Sequence, residues 1–183
     1  MSFHNITHTK EVVKNIAFIG KNNGLSKHEL EPILIAGWFH DTGFLHAYKG
    51  HEDYSLKIAK DFLEKEEYNK EKLDIVLGCI EATKMPQTPT NIYERVICDA
   101  DLFHLATNQF FKRNALLRKE WQNHLNMCFD EEKWLHLNIE FLEKQHYFTS
   151  YAQQNLSVGK QTNIKHLQQL LQGICSSNDY SKS

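Results

Sequence analysis

The sequence predicts an all-α protein built as a single domain. Its 183 residues include three prolines and eight glycines, so few positions interrupt a helix. Apolar residues recur at helical spacing along most of the chain, whereas the alternation typical of strands is scarce. The composition shows neither an internal repeat nor a linker. We therefore expect one helical domain over residues 1–175, followed by a disordered tail over residues 176–183.

The spacing of apolar residues predicts four helices in the first half of the chain. They are Thr7–Gly20, a second helix from about Lys27 to Phe39, His51–Glu66 and Lys70–Thr83. Ser26 and Glu29 have the spacing of a capping box, which places the start of the second helix near Lys27. Pro32 lies beyond the first turn of that helix, so a start nearer Glu31 or a bend is an alternative.

The second predicted helix ends at His40 and Asp41, where side chains can face a cavity without filling the core. Gly43 permits a left-handed exit from the helix, and a loop leads to the third helix. In the third helix we expect an inward face made of Tyr54, Leu56, Ile58, Ala59, Phe62 and Leu63.

The second half of the chain predicts three further helices. The first of them runs from about Asn91 past Phe111, with Thr90 as its cap and Asp101 near its middle. The other two are Glu131–Gln145 and Lys160–Ile174. We expect the intervening segment Tyr147–Gly159 to be a loop.

Two histidines and two aspartates are candidate metal ligands. His40 and Asp41 are adjacent, His8 lies upstream and Asp101 downstream, and such a mixed nitrogen and oxygen set suits a hard or borderline divalent cation. Asp101 lies among apolar residues, and a buried carboxylate needs a partner, which is either a metal or a basic side chain. A metal held in this way can acidify a water molecule and polarise a phosphate oxygen.

Composition argues against several classes of protein. The net charge of −2 gives no overall positive surface for nucleic acid or an anionic membrane. The four cysteines are scattered without a CxxC pair, which argues against a zinc finger or a disulfide framework and fits a reducing compartment. The longest apolar run is far shorter than a membrane span, and the first residues lack a secretion signal. We therefore expect a cytoplasmic protein.

The segments around the candidate ligands resemble the HD superfamily of metal-dependent phosphohydrolases. Residues 36–43, Ala-Gly-Trp-Phe-His-Asp-Thr-Gly, resemble the end of the central helix of that family, and Asp99-Ala100-Asp101-Leu102 resembles its later aspartate segment. The resemblance implies an all-helical HD-type bundle and one divalent ion, whose identity among Mn, Mg, Fe, Co, Ni and Zn stays open. The implied ligands are His8, His40, Asp41 and Asp101. Asp99 competes with Asp101 for the last position.

A second resemblance concerns the segment His4-Asn5-x-x-His8, followed by Val12. It is similar to the segment Y-H-N-x-x-H-A-x-x-V of class I cyclic-nucleotide phosphodiesterases, a branch of the same superfamily. That similarity implies that His8 binds the metal and that His4 protonates the leaving oxygen. A protonated histidine near a phosphate can donate a proton at neutral pH.

Two residues at the start of the third predicted helix resemble catalytic positions of related HD nucleotide hydrolases. Those enzymes place a carboxylate shortly after the HD pair, and Glu52 matches it as a group that orients water. His51 is a candidate to protonate the leaving group or to bind a second metal. Dinuclear members carry a further histidine where this chain has residues 82–84, Ala-Thr-Lys, so we expect one tightly bound metal.

The leading hypothesis is a metal-dependent phosphohydrolase that acts on a phosphomonoester or phosphodiester of a nucleotide. The alternative is a nucleotide-binding signalling module with little or no turnover. A di-iron oxygenase is a third interpretation, and the absence of a downstream histidine argues against it. We expect a small phosphorylated molecule, rather than nucleic acid or a membrane, as the partner, and a homodimer is one assembly that the sequence leaves open.

Overall fold

The computed structural model describes the backbone of residues 1–180 and the side chains of residues 1–174. All regular secondary structure in the described part is helical, which confirms the all-α prediction. The α-helices are α1 (Ile6–Asn22), α2 (Lys27–Phe39), α3 (His51–Lys65), α4 (Lys70–Ala82), α5 (Ile92–Asp101), α6 (Phe110–Leu125), α7 (Glu131–Lys144), α8 (Ser150–Asn155) and α9 (Ser157–Tyr180). Two short 3₁₀ helices span Thr42–Leu45 and Phe103–Ala106.

Side-chain caps fix where the first helices begin. The Asn5 side chain accepts hydrogen bonds from the backbone N–H groups of Thr7 and His8 at the start of α1. Ser26 and Glu29 form a complete capping box, so α2 begins at Lys27 as the sequence predicts. The alternative start near Glu31 is wrong, and Pro32 lies inside the helix.

The long helix predicted from Asn91 past Phe111 is divided in the structure. α5 begins after the Asn91 cap rather than after Thr90, and it ends at Asp101, so Asp101 is the last helical residue and not a central one. A tertiary contact holds the segment that follows the break. The side chain of Asn163 in α9 donates to the carbonyl oxygens of Leu105 at 2.8 Å and Thr107 at 3.1 Å, which satisfies acceptors that the interrupted helix leaves free.

The segment predicted as a loop between α7 and the last helix contains helical structure. Thr149 caps α8, and α9 already begins at Ser157, upstream of the predicted start at Lys160. α9 continues to Tyr180 and therefore enters the segment predicted to be disordered. Residues 181–183 lie outside the described residues, and the disorder of the tail stays a prediction.

Two hydrophobic clusters form most of the core. The larger cluster is formed by residues of all five helices from α1 through α5, and its fully buried members include Ile16, Ile33 and Ile97. The second cluster joins α6, α7 and α9 through Phe110 and Leu142. In the described part of the chain, no helix is both long and apolar enough to cross a membrane.

The inward face of α3 agrees with the prediction at Ala59 and Leu63 but differs from it at Tyr54 and Phe62. Tyr54 and Phe62 are 45% and 51% exposed, whereas Ser55, Ala59 and Leu63 are buried. At the start of α3 this face lies against the 3₁₀ helix that follows α2, where the Ser55 hydroxyl accepts a hydrogen bond from the backbone N–H of Gly43.

Candidate metal centre

Three helices bring the four predicted ligands together. His8 lies in the first turn of α1, His40 and Asp41 follow the last turn of α2, and Asp101 ends α5. The Nε2 atom of His8 is 3.1 Å from Asp101 Oδ1 and 3.6 Å from Asp41 Oδ2. The Nε2 atom of His40 is 3.3 Å from Asp41 Oδ2 and 3.7 Å from Asp101 Oδ1. His8, His40 and Asp41 therefore direct their ligand atoms to one point, and Asp101 Oδ1 lies beside both histidines.

Two atoms of this cluster are buried without a hydrogen-bond partner. They are Nε2 of His40 and Oδ2 of Asp41. His40 Nδ1 lies 2.9 Å from the carbonyl oxygen of Gly37, to which it can donate, so Nε2 is left as the ring nitrogen that faces the cluster. Buried polar atoms are almost always paired, and a divalent cation would pair both of these. The donor set therefore fits a metal ion.

The cluster is also strongly coupled electrostatically. Burial favours the neutral form of His40, but the carboxylates of Asp41 and Asp101 outweigh it and raise the pKa of the imidazole well above its usual range. Burial likewise opposes ionisation of Asp41 and Asp101, yet the neighbouring imidazoles lower the pKa of both carboxyl groups. The aspartates are therefore ionised, as metal ligands must be.

Asp99 lies elsewhere. It is fully buried, and its carboxylate accepts hydrogen bonds from the backbone N–H groups of Phe148 at 2.9 Å and Thr149 at 2.8 Å. Burial raises the pKa of Asp99, although these two donors favour its charged form. Asp99 thus holds the start of α8, and of the two competing aspartates only Asp101 contacts His8 and His40.

His51, at the start of α3, borders the cluster. Its Nε2 atom is 3.5 Å from Asp41 Oδ1, and its ring stacks on Phe44 with 3.6 Å between the ring centroids. His4 stacks on Phe44 as well, with 4.4 Å between the centroids. Phe44 therefore lies in stacking contact with both predicted proton donors and helps to fix the planes of their rings.

Gly43 makes this arrangement possible by its small size. A Cβ atom at Gly43 would lie 1.7 Å from the carbonyl oxygen of His51. The left-handed conformation expected here is absent, because among the described glycines only Gly24 and Gly50 have positive φ. Glycine is thus required at this position for the close approach of α3 to the end of α2, and not for a left-handed exit.

Glu120 in α6 is a site residue that the sequence analysis missed. Its buried carboxylate accepts hydrogen bonds from the backbone N–H groups of Phe3 at 2.7 Å and His4 at 3.1 Å. It also lies 2.5 Å from His4 Nδ1 and accepts from the Tyr48 hydroxyl at 3.0 Å. Burial opposes its ionisation, but the hydrogen bonds prevail and lower the pKa of Glu120 to about 2. No local spacing in the sequence indicates this role, because Glu120 is far from His4 along the chain.

A cavity of about 270 Å³ opens over the predicted ligands. His40, Asp41 and Asp101 line it, and so do all three predicted catalytic residues, His4, His51 and Glu52. The Glu52 carboxylate lies 3.4 Å from His51 Nδ1. The cavity is also lined by His104, another residue the sequence analysis did not single out; burial lowers the pKa of His104 to about 4, so its ring is neutral at pH 7.

Lys84 lies at the rim of the site. Its ammonium group is 2.8 Å from Asp53 Oδ1 and 2.8 Å from a carboxylate oxygen of Glu81. It lines a shallow depression next to the mouth of the cavity and not the cavity itself. Its charge is therefore already paired on the surface.

Comparisons with known proteins agree with this geometry. The family model of the HD domain matches residues 5–106. Among solved structures, the protein is similar to one described as a predicted HD superfamily hydrolase from an uncultured Thermotogales bacterium, with a TM-score of 0.60 and 16% sequence identity over 95% of this chain and 81% of the other. A search of curated proteins found no match. The family match covers more than half of the chain and all four predicted ligands, and the protein therefore belongs to the HD domain family.

Proposed function

We propose that the protein is a metal-dependent phosphohydrolase that cleaves a phosphomonoester or phosphodiester, with nucleotides as the first substrates to test. The observation that carries the proposal is that the four candidate ligands lie together and that two of their buried atoms, His40 Nε2 and Asp41 Oδ2, have no hydrogen-bond partner. Membership of the HD domain family supports a hydrolase. The choice of nucleotides as the first substrates rests on the resemblance of the sequence to HD nucleotide hydrolases.

The ligands would be His8, His40, Asp41 and Asp101. A divalent cation bound there would polarise a phosphate oxygen and lower the pKa of a water molecule. His8, His40 and Asp41 offer donor atoms that all lie within 4.8 Å of one another, and Asp101 contacts both histidines. This separation suits side chains that share one ion.

Glu52 would orient the attacking water. Its side chain is 15% exposed and lines the cavity next to His51, so its carboxylate can accept a hydrogen bond from a water molecule beside the phosphate. A carboxylate is suited to this role because it accepts hydrogen bonds at two oxygen atoms and can take up the proton that the water loses.

His4 would give a proton to the leaving oxygen. Glu120 engages Nδ1 of His4, which leaves Nε2 as the ring nitrogen that can meet a substrate in the cavity. This arrangement is compatible with the role that the resemblance to class I cyclic-nucleotide phosphodiesterases implies for His4. His51 is the second candidate, but its Nε2 lies beside the ligand Asp41, so it is better placed to act on the phosphate than on the leaving group.

The proposal is tested by elemental analysis of the purified protein, followed by a phosphomonoester and phosphodiester screen with added Mn²⁺, Mg²⁺, Co²⁺ and Ni²⁺. We expect about one metal ion per chain and metal-dependent release of phosphate or nucleoside. His40→Ala and Asp41→Ala should lose the metal and the activity while circular dichroism shows unchanged helix content. His28→Ala, at an exposed histidine of α2, is the matched control and should behave like the wild type.

Two results would contradict the proposal. Stoichiometric metal retained by both His40→Ala and Asp41→Ala would show that the ion is bound elsewhere. Bound metal with no turnover of any phosphoester would favour the nucleotide-binding module instead.

A further inference from the structure

We infer that the substrate carries a single phosphate group on a flat, largely apolar ring system, and that the ring occupies the part of the cavity formed by α6 and α7. This inference rests on the proposed function, because it assigns the organic part of the molecule whose phosphate meets the metal centre. It separates this substrate class from nucleoside di- and triphosphates and from phosphates of small polar alcohols.

The cavity wall away from the ligands is apolar. α6 contributes Leu117 and Trp121, α7 contributes Phe141, and the 3₁₀ helix Phe103–Ala106 contributes Leu105. Further apolar side chains that line the same space are Phe3, Phe44, Met85, Leu102 and Phe110. Aromatic and aliphatic side chains of this kind bind a ring through burial of its apolar surface and offer little to a sugar or glycerol hydroxyl group.

The charge of the cavity is unsuited to a chain of phosphates. The described residues that line it include the carboxylates Asp41, Glu52 and Asp101, but no lysine or arginine. The nearest lysines, Lys49 and Lys84, line the neighbouring depression outside it. A single phosphate can be neutralised by one cation and the histidines, whereas additional phosphates would lie near three carboxylates without basic partners.

The size of the cavity points in the same direction. Its volume of about 270 Å³ lies just below the range for small-ligand sites, about 300–1,000 Å³. One ring system with a phosphate is therefore the size of ligand to expect.

A pair of amide side chains adds a polar contact to the apolar wall. Asn114 Oδ1 accepts a hydrogen bond from Trp134 Nε1 at 2.7 Å, and Asn114 Nδ2 donates to Asn138 Oδ1. Asn138 Nδ2 donates to the carbonyl oxygen of Trp134 at 2.7 Å. Each amide nitrogen carries a second N–H, and both asparagines line the cavity. A ring with a hydrogen-bond acceptor, such as a nucleobase, would be bound more tightly than a plain hydrocarbon ring.

The part of the wall that α6 and α7 form lies outside the region that matches the HD domain. The family match ends at residue 106, whereas Leu117, Trp121, Asn138 and Phe141 follow it. The candidate metal ligands thus belong to the part of the chain that matches the family, and the α6 and α7 side of the wall belongs to helices that follow it.

Binding of two phosphonates, which carry a C–P bond that phosphoester hydrolysis does not cleave, tests the inference. Isothermal titration calorimetry of the Mn²⁺-loaded protein would compare 1-naphthylphosphonate with methylphosphonate. We expect the naphthyl compound to bind at least 10-fold more tightly. In excess Mg²⁺, the phosphonate analogue of adenosine 5′-monophosphate, with CH₂ in place of the 5′ ester oxygen, should bind more tightly than the corresponding analogue of adenosine 5′-triphosphate.

Substitutions in the apolar wall test whether the preference for the naphthyl ring arises there. Trp121→Ala should reduce the preference for 1-naphthylphosphonate about 10-fold without changing the affinity for methylphosphonate or the metal content. Leu117→Ala tests the same wall while retaining the edge-to-face contact of Trp121 with Trp134. Trp38→Ala removes an exposed tryptophan of α2, away from the cavity, and should retain the full preference.

The outcomes separate this inference from the proposed function. Equal affinity for the two phosphonates, or tighter binding of the triphosphate than of the monophosphate, overturns the inference even if the protein hydrolyses phosphoesters. A clear preference for the naphthyl compound that is lost in both wall variants supports it. Failure to hydrolyse any phosphoester under metal loading counts against the proposed function alone, since the binding comparison does not depend on turnover.

Discussion

Asp99 and Asp101 are separated by a single residue, yet their side chains lie in different environments. This difference decides which of the two can share a metal with the histidines. Asp101 ends α5 and directs its carboxylate to His8 and His40, whereas Asp99 points to the opposite side and holds two backbone N–H groups of the α8 start. The sequence segment Asp-Ala-Asp is equally acidic at both positions. Only the direction in which each side chain leaves the helix separates their roles.

We expect Asp101→Asn to affect metal binding and Asp99→Ala to affect the stability of the fold. Asp101→Asn should lose the metal with little loss of stability, because the neutral amide is a poor ligand of nearly the same shape. Asp99→Ala should keep the metal but lower the free energy of unfolding by about 1–3 kcal/mol, since two buried N–H groups lose their acceptor. Metal analysis and urea denaturation of both variants measure this. Metal loss in Asp99→Ala with retention in Asp101→Asn would reverse the assignment.

Glu52 is the residue whose change should separate binding from chemistry. We expect Glu52→Gln to retain the metal ion and to lower turnover by about 10²-fold or more, because an amide cannot take up the proton of the attacking water. Metal content and steady-state rates on the same preparation check this. Asp53→Asn, at the exposed neighbouring carboxylate that pairs with Lys84, is the control. Unchanged turnover in Glu52→Gln would remove Glu52 from the mechanism.

At the scale of elements, the site depends on how closely α3 approaches the end of α2. The backbone N–H of Gly43 donates to the Ser55 hydroxyl at 2.8 Å, and the carbonyl oxygen of His51 occupies the space that a side chain at Gly43 would need. This contact places His51 and Glu52 beside Asp41. Small residues at Gly43 and on the inner face of α3 are therefore a requirement of the site.

We expect Gly43→Ala to lower the free energy of unfolding by about 1–3 kcal/mol or more, because the added methyl group meets backbone and not a movable side chain. Gly173→Ala, in α9, is the matched control, since its Cβ would meet no atom within 4 Å. Alanine is more favourable than glycine inside a helix by about 1 kcal/mol, so this variant should not be destabilised. Urea denaturation of both variants measures the difference. Equal stabilities would show that α3 can shift without cost.

At the scale of the whole molecule, the site lies where the two core clusters meet. The ligands belong to α1, α2 and α5, while the far wall of the cavity and the partner of His4 belong to α6 and α7. Glu120 connects the two parts, because it binds the segment before α1 through Phe3 and His4. The ionisation of this one carboxylate therefore contributes to the stability of the assembled site.

The pH dependence of stability should report this contact. Glu120 has a folded-state pKa of about 2 against an ordinary value of 4.5, so its contribution is complete above about pH 4.5 and is lost as the pH falls toward 2. We expect Glu120→Gln to be less stable than the wild type at pH 6, with a difference that narrows from pH 4.5 downward. Urea denaturation across this range measures it, with the exposed Glu132→Gln as control. A constant difference at all pH values would contradict the assignment.

The helical class, most helix starts and the four residues that meet in the candidate site could be predicted from the sequence. These follow from local physics: caps such as Ser26 with Glu29 act within one turn, and apolar spacing marks a buried helix face. The quartet could be recognised because its residue types are chemically distinctive and resemble a family. Its role in binding metal, the nucleotide and the cytoplasmic location stay predictions.

Three features of the site depend on long-range contacts that no local pattern could predict. Asn163 holds the segment that follows the end of α5, Glu120 orients His4, and Leu117 and Trp121 form the apolar wall. Each of these contacts joins residues far apart in the chain. Local spacing carries no information about them, because they arise only when separate helices are packed against one another.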